Sequence, residues 1–261
     1  MKMVRIFCIS MLVLACVFFK AVVVQAGTVS EIMTKMEDLL DLQQDITAKI
    51  KLTQKKVDEG IKTMETLYYR RDQNDQFLMV FLAPETDKGN GYLRSGDNMW
   101  MYRRNTRTFQ KLNRNDAIGG TDAKAGDFEK RKFTDLYAPV VDKSGTEQLH
   151  KETLGKAKIP IYRFEVKAKV KDVTYPKEIH WVRRDNFLTL KRESYALSGT
   201  LMQTSYFPKY TKISGRYIPL RMIFVDEFEK GNKTLIELSG ISLKSIDKKV
   251  FTKAYLENLG K

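Results

Sequence analysis

The sequence is poor in the side chains that carry most enzyme and metal chemistry. Among 261 residues there are two cysteines, Cys8 and Cys16, and two histidines, His150 and His180. Both cysteines lie in the first 26 residues, so a chain cut after Ala26 has none. Such a product excludes disulfides, thiol nucleophiles, Fe–S clusters and cysteine-based zinc sites. Two histidines cannot build a three-histidine zinc site. HExxH and GxSxG are absent, and neither Gly89-x-Gly91 nor Gly119-Gly120 sits in a strand–GxGxxG–helix or phosphate-loop context. There is no Pro/Ser-rich linker, no internal repeat and no long Lys/Arg block.

The first 26 residues read as an export signal. Met1 to Arg5 is short and basic, Ile6 to Phe19 is apolar apart from Ser10, and Val24-Gln25-Ala26 offers small residues for a signal peptidase. Two alternatives stay open. The apolar run is short for a permanent anchor, which needs about 20 residues. Val13-Leu-Ala-Cys16 is a loose lipoprotein box that would make Cys16 a lipid anchor, although Cys16 lies inside the apolar run. All three readings place the folded part outside the cytoplasm, the first in a periplasmic space.

That compartment changes the meaning of the charge. The formal net charge is +14. It falls to +11 without Lys2, Arg5 and Lys20, the charged residues of the first 26. The basic residues alternate with apolar ones: Tyr162, Phe164, Val166, Ala168 and Val170 share one face of a strand, while Arg163, Glu165, Lys167 and Lys169 share the other. This is a solvated strand face that blocks edge pairing, and it makes nucleic acid an improbable partner. A weak attraction to an anionic membrane surface or an acidic partner is the sharper alternative.

Periodicity gives the organisation. Val29, Ile32, Met33, Met36, Leu39 and Leu40 recur at helical spacing, predicting an amphipathic helix over 29–43 with Ser30 as N-cap. From Asp45 the period is two, and six short strands with tight turns run to Leu112 as an antiparallel meander. Residues 113–145 break the pattern with a Gly/Asn/Asp-rich stretch and a short helix over 127–137. Strands resume from about Glu147 and run to Lys244, and a short helix or turn ends the chain. The expectation is α+β but mainly β. A strongly curved antiparallel sheet forms an incomplete barrel, closed by the N-terminal helix and the 113–145 helical insertion. Residues 27–261 form a single domain.

Candidate catalytic groups are few. His180 lies in the strand Glu178-Ile-His-Trp-Val182 with no ligand-spaced histidine, and reads as a sheet-surface or partly buried residue; a hydrolase built on it lacks a nucleophile elbow. Asp226 and Glu227 fall on opposite strand faces, which argues against an acid/base pair. An enzyme is therefore not expected, nor a cofactor. The apolar residues say more. Several strands are apolar on both faces, as in Phe77/Met79/Phe81 against Leu78/Val80/Leu82. Eight methionines remain after residue 26, and flexible Met side chains suit a surface that accommodates variable apolar shapes.

Lys88 to Tyr102 is a strand, a Gly/Asp turn and a strand carrying Trp100-Met-Tyr102. It resembles the central hairpin of the LolA-like outer-membrane lipoprotein-sorting family. The resemblance extends over an export signal, an opening amphipathic helix, a six-strand meander, the Gly119-Gly-Thr-Asp122 and Asp127-Phe128 segment, and the ending Phe251-Thr-Lys-Ala-Tyr-Leu256. It implies a half-barrel whose hydrophobic cavity carries acyl chains of lipoproteins or lipids towards the outer membrane. An inner-membrane donor and an outer-membrane acceptor are then the expected partners, and the carrier is expected to be a monomer. Trp100 and Tyr102 match the family motif by residue. Alternation adds Phe77, Met79, Phe81, Leu93, Met202, Tyr206, Met222 and Phe224 as cavity candidates, without fixing which face points inward. An envelope sensor or scaffold that uses the same fold to bind a protein is the second expectation.

Overall fold

The computed structural model describes residues 27–129 and 131–259. The export-signal reading of 1–26, including Cys16, lies outside the described residues. Helix α1 spans Val29–Leu40 and buries Val29, Ile32, Met33 and Met36. Its N-cap is Thr28, whose Oγ1 accepts from the Glu31 amide at 3.1 Å. Ser30 is not the cap because it already lies inside the helix, where its amide donates to Glu147 at 3.0 Å.

The first meander comprises β1 (Asp45–Lys56), β2 (Gly60–Arg71), β3 (Gln76–Ala83), β4 (Gly91–Ser95), β5 (Asn98–Arg103) and β6 (Thr108–Lys111). The middle of the chain holds a 3-10 turn (Ala125–Phe128), helix α2 (Phe133–Leu136) and β7 (Tyr137–Pro139). One helix over 127–137 does not form. Glu129 is extended and held by Arg94 at 3.3 Å and Arg114 at 2.7 Å, and Tyr137–Pro139 is extended too, paired with Val166 and Ala168 further along the chain. The second meander comprises β8 (Leu149–Leu154), β9 (Ile159–Ala168), β10 (Lys177–Arg183), β11 (Thr189–Tyr195), β12 (Leu201–Ile213), β13 (Arg216–Asp226) and β14 (Lys233–Ser242), and α3 (Lys253–Leu259) closes the chain.

All fourteen strands form one antiparallel sheet in the order 6-5-4-3-2-1-14-13-12-11-10-9-7, with β8 also on β9. The sheet is mainly β architecture with open edges, a half-barrel and not a closed one. The first and last strands meet at its centre, with Leu52 opposite Ile236. β6 lies at one edge and β7 at the other, so residues 112–136 must cross the width of the sheet. They cross its inner face.

Helix α1 covers the other part of that face, packing Ile32, Met33 and Met36 among Tyr162, Phe164, Val166 and Val182. The outer face of β3–β5 is covered by the C-terminal segment, where Leu78, Val80, Leu93 and Tyr102 pack on Val250, Phe251 and Leu256. Gly91 lies where this helix approaches. A Cβ there would stand 2.6 Å from the Met79 carbonyl and 2.7 Å from Leu256 Cδ1, so the position excludes a side chain.

Candidate functional site

Alternation with this register sorts the ten predicted residues between two faces. Phe77, Met79 and Phe81 point inward beside Phe224 and Met222, in one cluster with Ile50, Leu52 and Met64. Leu93, Trp100 and Tyr102 point outward beneath the C-terminal segment, with Lys253 Nζ 4.4 Å from the Trp100 ring centre. Tyr206 is exposed on the outer face, where it pairs with Lys191. Met202 borders a pocket at one end of the sheet. The ten residues therefore do not line a common wall.

The inward group is covered by the crossing segment. Ile118, Ala123, Ala125 and Phe128 pack onto it, with the Phe128 ring 6.1 Å from that of Phe77. Polar contacts fix the path. The Gly119 amide donates to the Tyr92 hydroxyl at 2.7 Å, Gln203 Nε2 donates to the Asp122 carbonyl at 2.9 Å, and the Thr234 hydroxyl donates to the Asp122 carboxylate at 2.7 Å. Gly119 and Gly120 have φ of +61° and +71°, a left-handed turn that glycine adopts without penalty. What the sequence presents as a two-sided apolar strand is thus a strand packed on both faces.

A buried polar cluster lies beside this segment, and sequence reasoning did not assemble it. Arg192 reaches Asp127 at 3.2 Å and Glu178 at 3.6 Å, and the Glu178 carboxylate accepts from His180 Nε2 at 2.9 Å. His180 is buried between Phe133 and Phe164, deeper than the sheet-surface or partly buried position expected of it. Burial pushes the Asp127 carboxyl up despite Arg192. Burial would raise Glu178 too, but Arg192 and His180 outweigh it and hold the carboxyl below its ordinary value. The group walls a polar pocket of ≈ 190 Å³. The available signal was Glu178 and His180 alternating with Ile179 and Trp181. Hydrophobicity favours the latter pair inside, yet Trp181 faces out, below Lys191 at 4.4 Å and Arg163 at 5.5 Å.

Apolar space lies at one end of the sheet. A cleft of ≈ 770 Å³ opens between the β9–β10 loop and the β11–β12 turn, bordered by Ala168, Val170, Val173, Pro176, Ala196 and Leu197, with Lys167, Lys171 and Lys177 at its rim. A second pocket of ≈ 350 Å³ adjoins it at Ala196 and runs past Met202, Tyr175 and Phe228. Their size falls in the range of small-molecule sites. Lys177 pairs with Glu165 at 3.3 Å, whereas Lys167 and Lys171 form no ion pair among the described residues.

A family model described as "Uncharacterized protein" matches residues 73–258. The chain belongs to that family, and its fold is LolA-like. A LolA superfamily protein from Nitrosomonas europaea is 23% identical, with a TM-score of 0.71 over 88% of this chain and 100% of the other. A domain named for outer membrane lipoprotein sorting, from Vibrio parahaemolyticus, is 16% identical, with a TM-score of 0.75 over 87% and 97%. A DUF1329 family protein from Desulfovibrio piger is 21% identical, with a TM-score of 0.74 over 87% and 97%. No curated protein matches the sequence. In this LolA-like chain the Trp100 and Tyr102 hairpin belongs to the outer face. Among the described residues no helix is long and apolar enough to cross a membrane.

Proposed function

We propose that this protein is a non-enzymatic, extracytoplasmic carrier that holds acyl chains of lipoproteins or lipids and delivers them towards the outer membrane. The observation that carries the reading is the apolar cleft of ≈ 770 Å³ rimmed by Lys167 and Lys171 and adjoined at Ala196 by a smaller, mixed pocket, in a LolA-like half-barrel. An acyl chain fits such a cleft in physical terms. Each buried methylene contributes about 0.8 kcal/mol, so eight of them supply about 6 kcal/mol before the costs of association. Lysines at the rim suit an anionic end of the same molecule. The carrier works in the periplasm, taking cargo from an inner-membrane donor and releasing it to an outer-membrane acceptor.

The test is native mass spectrometry of mildly purified protein, together with titration of a fluorescent fatty acid. Bound acylated species are expected, and Ala196→Phe, which fills the junction of the clefts, is expected to weaken fatty-acid binding at least about tenfold, the loss of two or so buried methylenes. A clean apo mass with no fatty-acid binding would overturn the carrier.

A second reading has one observation in its favour. Phe77, Met79 and Phe81 are covered by the crossing segment, so the inner face holds a packed core where a large cavity was expected. A scaffold that binds an envelope protein needs no such cavity. Recovery of a protein partner from envelope extracts, with lipid content unchanged, would favour it.

A further inference from the structure

The three turns at one end of the sheet centre carry large exposed apolar residues. Sheet register places the β1–β2, β13–β14 and β11–β12 turns side by side, because Lys55 pairs with both Ile61 and Lys233, and Gln203 pairs with both Asp226 and Ser194. Val57 and Ile61 are 63% and 71% exposed, Phe228 71% and Leu197 91%. Leu197 is the most exposed large apolar side chain of the described residues. Isolated exposed apolar residues need no explanation, but several on neighbouring turn tips form a patch that commonly marks an interaction surface.

Charge varies along this rim. The turns around Val57 and Phe228 are mixed, with Asp58, Glu59, Glu227 and Glu229 interspersed with Lys55, Lys56, Lys230 and Lys233. Beside Leu197 lies the β9–β10 connection, set next to the β11–β12 turn by the pairing of Lys177 with both Lys167 and Tyr195. It carries Lys167, Lys169, Lys171 and Lys177 against Asp172 alone, and Asp172 is already held by Arg114 at 2.6 Å and Arg131 at 3.2 Å. Lys169 donates to the Thr134 carbonyl at 2.7 Å, so Lys167 and Lys171 are the cations left to solvent.

We propose that the Leu197 end of this rim docks on an anionic lipid bilayer. Leu197 enters the interface between headgroup and acyl chain while Lys167 and Lys171 meet the lipid phosphates, the arrangement by which peripheral proteins combine apolar insertion with charge attraction. The docked protein turns the mouth of the ≈ 770 Å³ cleft, which Leu197 and Lys171 border, towards the membrane. This surface acts whether or not the cleft holds an acyl chain.

A local reporter tests it in the full chain. Leu197→Trp is mixed with vesicles of phosphatidylglycerol and phosphatidylcholine, and with phosphatidylcholine alone. A blue shift quenched by brominated lipid is expected with the anionic vesicles, and it is largely lost in about 0.5 M salt, where the screening length falls to a few ångströms. Ser214→Trp, in the turn at the opposite end of β12, serves as the control and is expected to stay unshifted. Replacing Lys167 and Lys171 by Gln in the reporter weakens the response about 25-fold, at about fivefold per lysine. No shift with anionic vesicles, an equal shift with neutral ones, an equal shift at position 214, or indifference to the lysines overturns the docking. A shift produced by an envelope protein and not by vesicles overturns it as well. Fatty-acid titration without vesicles reports on the cleft separately, so failure of docking and failure of the carrier are distinguishable.

Discussion

Arg192→Met removes the one cation shared by two buried carboxylates, Asp127 at 3.2 Å and Glu178 at 3.6 Å. Methionine keeps the stem and leaves both acids without it. Breaking a buried pair from one side typically costs about 3–5 kcal/mol, because the remaining charge is neither solvated nor neutralised. Total stability for a domain is about 5–15 kcal/mol, so the variant loses roughly a fifth of it or more. The expected fall in Tm is about 6–20 °C for a chain of this size.

The pH dependence separates this mechanism from simple loss of packing. In the parent protein the Glu178 carboxyl is held low, so its contribution is present above the ordinary carboxylate range and lost as pH falls through the lowered value. Asp127 is already pushed up, so its ionisation works against the fold as pH rises. Without Arg192 both carboxyls rise, so both bind protons more tightly in the folded variant than in the folded parent. The stability gap between parent and variant must therefore narrow from pH 7 to pH 5. Guanidinium unfolding at the two pH values measures the gap. A gap below about 1 kcal/mol at pH 7 would refute the buried-charge argument, as would one that stays equal or widens at pH 5. Arg192→Lys restores the charge without the two-armed reach and is expected to fall between the two.

Three further outcomes follow from packing and capping. Gly91→Val drives a branched side chain into the Met79 carbonyl and Leu256, and should cost about 1–3 kcal/mol or detach the C-terminal helix, seen as faster amide exchange at Val250–Leu256. Phe77→Ala empties the inward cluster beneath Phe128 and should cost about 3–5 kcal/mol by denaturant titration. A loss under about 1 kcal/mol would mean the crossing segment does not pack there. Thr28→Ala removes the cap of α1 and should cost about 1 kcal/mol, whereas Ser30→Ala leaves the capping hydrogen bond in place and loses only the hydroxyl contact to Glu147.

The elements were legible because their signals are local. Alternation from Asp45 to Leu112 and again from Ile159 to Ser242 marks twelve strands within a few residues of their observed limits, since a two-residue period and Gly/Asn/Asp turns are properties of adjacent residues. β7 escaped because Tyr137–Pro139 is three residues long and is a strand only through β9. The sides of the strands were less legible. Phe77 and Leu78 are equally apolar, and both are buried because one meets the crossing segment and the other the C-terminal segment. No rule of period two can rank two faces that are both covered.

The site was hidden by order and not by composition. A meander tells which strands are neighbours within each half, but nothing in Leu52 or Ile236 announces that the first strand pairs with the last. Once that pairing is made, β6 and β7 occupy opposite edges and the 112–136 connection has to traverse the inner face. The traverse then decides three things together. It covers Phe77, Met79 and Phe81, it brings Asp127 to Arg192, and it leaves space at the turn end near Ala196, where its own Asn115, Asp122 and Lys124 line one side of the smaller pocket. The residues first picked as a cavity wall and the clefts that remain open are therefore two results of one connection. Shortening or loosening that connection should move space from the second place to the first: Ile118→Ala with Phe128→Ala should raise the inner-face volume and its affinity for a fluorescent fatty acid while lowering stability by about 5–10 kcal/mol. Equal losses of stability with no gain in binding would mean that the inner face collapses when uncovered, and that the half-barrel uses only its rim.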